Sequence, residues 1–180
     1  MTRLLLAVLF CVALGAAESA PLADLVLPDH RGGTCRLDSV RDRLLMYFRP
    51  GERTAAKRCD RVMSIRLGTG RPLVRVIDGR EYQPEDRAAI TQRITEAVGE
   101  EPITFLLDWD GAVAKRLSLS DAPLQFVGFS AEGRKTGAIP CAFDRDSLGR
   151  VLTLLPGLDQ TAFTSEELTL VKRSAKDARP

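Results

Sequence analysis

"LLMYFRPGERTAAKRC", Leu44 to Cys59, sets an unbroken apolar run of five residues against a proline-glycine break and a helix-forming segment. An apolar run without polar alternation is what a strand covered on both faces requires. Pro50 and Gly51 cannot continue that strand, and the residues after them predict a helix to about Leu67 with Thr54 as its N-cap. A doubly covered strand that hands directly to a helix points to a sheet with helices on both sides.

The flanking sequence fits that layout. "PLVRVID" from Pro72 reads as a second strand, and Pro84 opens a helix, "PEDRAAITQRITEAV", with Ala89, Ile90, Ile94 and Val98 on one face. "ITFLLD" is a third strand, followed by the turn "WDG" and a short helix from about Ala112 to Leu117. "LQFVGF" and "RKTGAI" flank the turn "SAEG" as an antiparallel pair, and "DRDSLGRVLTLL" is a last amphipathic helix with Asp144 or Asp146 near its start. Upstream, "LADLVLPDHRGGTCRL" reads as a hairpin turning at "PDHRGG". Alternating strands and helices closed by an antiparallel edge predict an α/β three-layer sandwich: a mixed central sheet, an N-terminal β-hairpin and helices on both faces.

At 180 residues the chain has room for one domain, placed at residues 18–156, with a polar tail over 157–180 that is expected to fray. Residues 1–17 read as a signal peptide, with Arg3, an apolar run from Leu4 to Leu14, and the small residues Gly15, Ala16 and Ala17 before cleavage at Glu18. The run is shorter than the roughly 18 apolar residues that cross a bilayer, so no span is expected after cleavage and the protein is expected to be periplasmic or secreted. Cys11 lies inside the run behind bulky Phe10, a poor context for lipidation. With 26 basic and 24 acidic residues the net charge is +2, too even to argue for nucleic acid or an anionic membrane surface.

Export leaves Cys35, Cys59 and Cys141 in an oxidising compartment, where three single disulfides are open and one thiol is left over. No CxxC occurs, and His30 is the only histidine. Metal sites of the usual spacing are therefore unsupported, no cofactor is expected, and His30 reads as a turn residue. Asp108 and Asp110 beside Trp109 and Gly111 have the composition of a tight turn rather than a catalytic carboxylate pair.

Four stretches carry a resemblance. "LVLPDHRGGTCRL", "LLMYFRP", "FLLDWDGAVAKRLSL" and "APLQFVGFSAEGR" resemble the opening hairpin, the active-site strand, the D-x-x-G-x-V-A segment and the proline-led hairpin of the thioredoxin-like superfamily, in its exported redoxin and peroxiredoxin branch. The resemblance implies a groove beside Pro123, which in the family is a cis proline next to the reactive cysteine and receives extended peptides. It also exposes a departure. Pro50 and Thr54 stand at the spacing of the peroxiredoxin P-x-x-x-T-x-x-C motif, but Lys57 occupies the cysteine position. A lysine has no sulfur to become a sulfenic acid, so the site is degenerate.

Cys59 comes two positions later, about 200° further around a helix. Ala55, Cys59, Val62 and Met63 share one apolar stripe, which puts the thiol beneath the helix. Against this, Arg49, Arg53, Lys57, Arg58 and Arg61 surround it in sequence and would lower its pKa if it were exposed. Three functions follow. The first is a redox-inactive binding or scaffolding module that takes a protein or peptide at the groove near Pro123. The second is a thiol-dependent peroxidase or disulfide oxidoreductase in which Cys59 attacks and Cys35 or Cys141 resolves. The third is a disulfide-stapled structural protein.

Overall fold

The computed structural model describes residues 22, 24–68, 73–158, 161 and 163–169. The expected signal peptide lies outside the described residues, as does the tail from 170 onward. Eleven elements follow in order: β1 (Val26–Pro28), β2 (Thr34–Arg36), β3 (Arg43–Phe48), α1 (Arg53–Leu67), β4 (Val74–Asp78), α2 (Arg87–Val98), β5 (Phe105–Asp108), α3 (Ala112–Arg116), β6 (Leu124–Phe129), β7 (Lys135–Pro140) and α4 (Arg145–Leu152).

The expected mixed sheet is present, with strand order β5-β4-β3-β6-β7. β3 pairs parallel with β4 and antiparallel with β6, β5 extends the parallel half, and β7 closes the antiparallel half. Leu44 to Phe48 are buried throughout, so β3 has no solvent face. Leu44, Met46 and Phe48 pack into the core under α1 and α4, together with Cys59, Val62 and Met63 of α1 and Leu148, Val151 and Leu152 of α4. Leu45 and Tyr47 pack into the other core with Leu27 and Leu37 of the hairpin region and Val113, Ala114 and Leu117 at α3.

Several boundaries are set by local chemistry. Pro50 begins a 3-10 turn over Pro50–Glu52 that feeds α1, and the residue before the helix is Glu52, without a side-chain cap bond. Thr54 is therefore an exposed residue of the first helical turn and not the expected N-cap, because the proline turn starts the helix earlier. Asp144 does cap α4, accepting the backbone N–H of Ser147 at 2.8 Å. The segment expected as tail returns to the core. Phe163 is fully buried, with the Arg66 guanidinium 4.8 Å from its ring centre, and residues 165–169 are helical, with Glu167 bound to Arg66 at 2.9 Å. Phe163 docks it, with Leu158 and Leu168 packed against the same core.

His30 is a turn residue, but a buried one that bolts the hairpin to β5. Its backbone N–H donates to the Phe105 carbonyl at 3.0 Å, its Nδ1 accepts the Phe105 N–H at 3.2 Å, and its ring meets the Phe105 ring edge-on at 5.9 Å. Burial pulls the imidazole below its ordinary pKa, outweighing the upward pull of the Phe105 hydrogen bond. The unfolded chain takes up a proton below about pH 6.5 while the folded one resists it, so stability is full above that pH and falls as pH drops through it. Because the chain has one histidine, urea midpoints measured between pH 7.5 and 5.5 should decline for the native protein and decline less for His30→Gln.

Candidate functional site

The parallel strands end in acids: Asp78 closes β4, Asp108 closes β5, and the two are register partners. Both are buried. They are kept apart electrostatically by different partners. Arg80 grips Asp78 through Nε at 2.9 Å and Nη2 at 2.7 Å. Asp108 accepts the Tyr47 hydroxyl at 3.1 Å and the N–H groups of Ala112 and Val113 at 2.8 and 3.1 Å, so it anchors the start of α3. Burial pushes the Asp78 carboxyl up, but the Arg80 hydrogen bonds and charge outweigh it and hold it below the usual carboxylate value. For Asp108 burial wins over its hydrogen bonds and the carboxyl is raised. Tyr47 is pushed far up, by burial first and then by the charge of Asp108. Gly111 completes this corner at φ 69°, a left-handed conformation in which a Cβ would sit 2.4 Å from the Arg80 stem. The resembling D-x-x-G-x-V-A stretch thus has a structural reason at each fixed position.

At the mouth formed by the start of α1, Lys57 and Thr54 are exposed and Pro50 is half-buried. Pro50 and Lys57 face the cleft between α1 and α2. Cys59 lies beneath the helix with no exposed surface, and its Sγ is 4.0 Å from that of Cys141, which follows β7. The Cys141 Sγ also contacts the Ser147 hydroxyl at 3.6 Å. The hydrogen bond shared with Cys141 and then burial push the Cys59 thiol up, the opposite of the lowering that the arginines near it in sequence would give an exposed thiol. Cys35 is half-buried and packs against the core on the other side of the sheet, its pKa raised by burial. The sheet stands between it and Cys59, so Cys141 is the thiol placed to pair with Cys59.

Pro123 is exposed, and its carbonyl accepts the Arg49 N–H at 2.8 Å, carrying the β3-β6 ladder one step past Phe48 and Leu124. Every described peptide bond is trans, Ala122-Pro123 included, where the resemblance implies a cis proline. In this chain the segment is fixed by that ladder bond and by Arg49, whose Nη2 binds the Asp121 carboxylate at 2.5 Å and the Asp121 carbonyl at 3.2 Å. Beside it lies a cavity of about 250 Å³ lined by Arg49, Asp78, Arg80, Glu81 and Asp121. Sequence reading missed this charged cluster. The available signal was the lone acid, Asp78, that ends the apolar strand "VRVID".

No protein-family model matches the sequence, and no curated protein sequence is significantly similar to it. Solved structures do match. The pneumococcal exposed lipoprotein thioredoxin of Streptococcus pneumoniae superposes with TM-score 0.58 at 15% identity, over 74% of this chain and 100% of that one. A secreted Mycobacterium tuberculosis disulfide oxidoreductase homologous to E. coli DsbE gives 0.51 at 15% identity, over 89% and 99%. The N-terminal domain of PilB from Neisseria gonorrhoeae gives 0.53 at 10% identity, over 74% and 90%. At these identities the likeness establishes the fold, which is thioredoxin-like.

Replacing Asp108 by Ala removes the acceptor of a buried hydroxyl and of two helix-start N–H groups. The expected loss is about 3 kcal/mol of unfolding free energy, read by urea denaturation, with Asp108→Asn recovering part of it.

Proposed function

We propose that this chain is an exported thioredoxin-like binding module that performs no thiol exchange at the mouth of its fold and takes an extended segment of a protein partner beside Pro123. The observation that carries this reading is the pairing of an exposed Lys57 with a Cys59 that has no exposed surface. Exchange requires a thiolate to approach a second sulfur directly, and a buried thiol of raised pKa meets neither demand. The shelf beside Pro123 keeps features of a recognition surface. It combines an exposed proline with two arginines and three acids whose charges nearly cancel, so a partner there is selected by hydrogen bonding rather than by net charge. The apolar N-terminal run and the exposed or secreted character of the first two proteins named above support export.

The 4.0 Å separation of Cys59 and Cys141 favours a second reading, a disulfide oxidoreductase built on a pair outside any CxxC. In that reaction a partner's disulfide accepts two electrons from the two thiols. Cys59 loses its proton and attacks one sulfur of that disulfide, expelling the other as a thiol and leaving a mixed disulfide. Cys141 then loses its proton and attacks the Cys59 sulfur, expelling the partner's second thiol, and the products are a Cys59-Cys141 bridge and a reduced partner.

Site-resolved alkylation separates the two. Near neutral pH, iodoacetamide should leave Cys59 and Cys141 unmodified in the folded protein and label both in guanidinium, and neither insulin reduction nor peroxide consumption should exceed the thiol-donor background. Rapid labelling of native Cys59, with turnover abolished in Cys59→Ser, would replace the binding reading by the enzyme. The shelf is tested directly by a photo-crosslinker placed at Pro123: one defined partner should be captured from the exported fraction, and lost on Arg49→Ala.

A further inference from the structure

We propose that the cleft between α1 and α2 is a binding site for a single-chain amphiphile with an anionic head, a medium-chain carboxylate being the simplest member of the class. The cleft encloses about 310 Å³, within the range of small-molecule pockets. Its floor is the end of the sheet face, with the buried Met46 and Phe48 of β3 and Ile77 of β4, and the half-buried Phe105 of β5. Its outer wall is the apolar stripe of α2, Ile90, Ile94 and Val98. That stripe would ordinarily be pressed against the sheet. Here α2 has no buried residue along its whole length: Ile94 touches the sheet core, but Ile90, Ile94 and Val98 all stay half-buried along the open volume of the cleft. An aliphatic chain laid in the cleft supplies the contacts that the stripe lacks.

The mouth carries the opposite chemistry. Arg53, Lys57 and Arg61 lie four residues apart along one edge of α1, and Arg93 lines the cleft from α2. Like charges at that spacing repel one another along a helix. Arg53, Lys57 and Arg93 make no ion pair among the described residues. Two acids also line the cleft. Asp60 is held by Arg75 at 2.6 Å, which leaves Glu101 as the acid without an ion pair among the described residues. The mouth is thus net cationic and the interior apolar, the complement of an anionic amphiphile. At roughly 30 Å³ per non-hydrogen atom the cleft holds about ten chain atoms. β3 and β4 are paired on both sides and the outer edge of β5 is occupied at Phe105 and Leu106 by His30 and Asp29, so the floor offers no unpaired ladder to a peptide.

This inference is independent of the shelf beside Pro123, and its failure would leave that reading intact. The test is titration of the purified protein, below micellar concentrations, with decanoate, decanol and decyltrimethylammonium, followed by calorimetry and amide chemical shifts. Decanoate should saturate one site with shifts on both helices, bind roughly tenfold tighter than decanol and weaken with added salt. Decyltrimethylammonium should bind weakest. The double substitution Arg53→Glu and Lys57→Glu, at exposed positions, should reduce decanoate to the level of decanol without changing decanol. Ile94→Trp, checked for folding by circular dichroism, should fill the cleft and remove both. Equal affinity for the three probes, absence of saturable decanoate binding, or a folded Ile94→Trp that binds as before would overturn the proposal.

Discussion

A strand with no solvent face sets the terms for this molecule. β3 buries both of its faces, so each needs its own apolar cover, and the alternation of side chains decides which element supplies it. Met46 and Phe48 call for α1 and α4; Leu45 and Tyr47 call for α3 and the hairpin. Tyr47 adds a further demand, because a buried hydroxyl needs a partner. Asp108 meets it from two strands away and at the same time fixes the first turn of α3. The corner at the strand ends is thus a consequence of packing at the centre.

Two carboxylates in one row of the sheet are driven in opposite directions by what each touches. Asp78 faces a guanidinium and stays ionised more readily than usual; Asp108 faces a neutral hydroxyl and backbone N–H groups, and burial dominates. Position in the sheet alone would have made them equivalent. Arg49 ties this row to the Pro123 segment, with its Nε 4.0 Å from Asp78 and its Nη2 on Asp121. The polar end of the sheet is therefore one connected network rather than a set of separate ion pairs.

Where local chemistry decides an outcome, the sequence was readable. The apolar runs became strands, the "SAEG" turn joined β6 to β7, Asp144 capped α4, and the α1 stripe put Cys59 beneath its helix. What escaped depends on distant partners. Cys141 is 82 residues from Cys59, and nothing local chooses it over Cys35 as the neighbour. Arg75 sits 15 residues from Asp60 and is identified as its partner only once α1 lies over β4. Phe163 looked like part of a tail because one aromatic residue among polar ones has no periodicity to read. The Thr54 side chain suits a cap, but the proline turn before it has already begun the helix.

The half-buried state of α2 has a dynamic meaning. A helix with no residue fully enclosed loses little apolar burial when it lifts away, and its own hydrogen bonds can travel with it. α1, by contrast, cannot move without exposing Cys59, Val62 and Met63. What holds α2 is therefore mostly polar and at its surface: Thr95 donates to the His30 carbonyl, and Arg87 binds Asp110 and stacks on Trp109. Amide exchange in α2 should proceed through smaller openings than in β3, which exchanges only when the whole fold gives way.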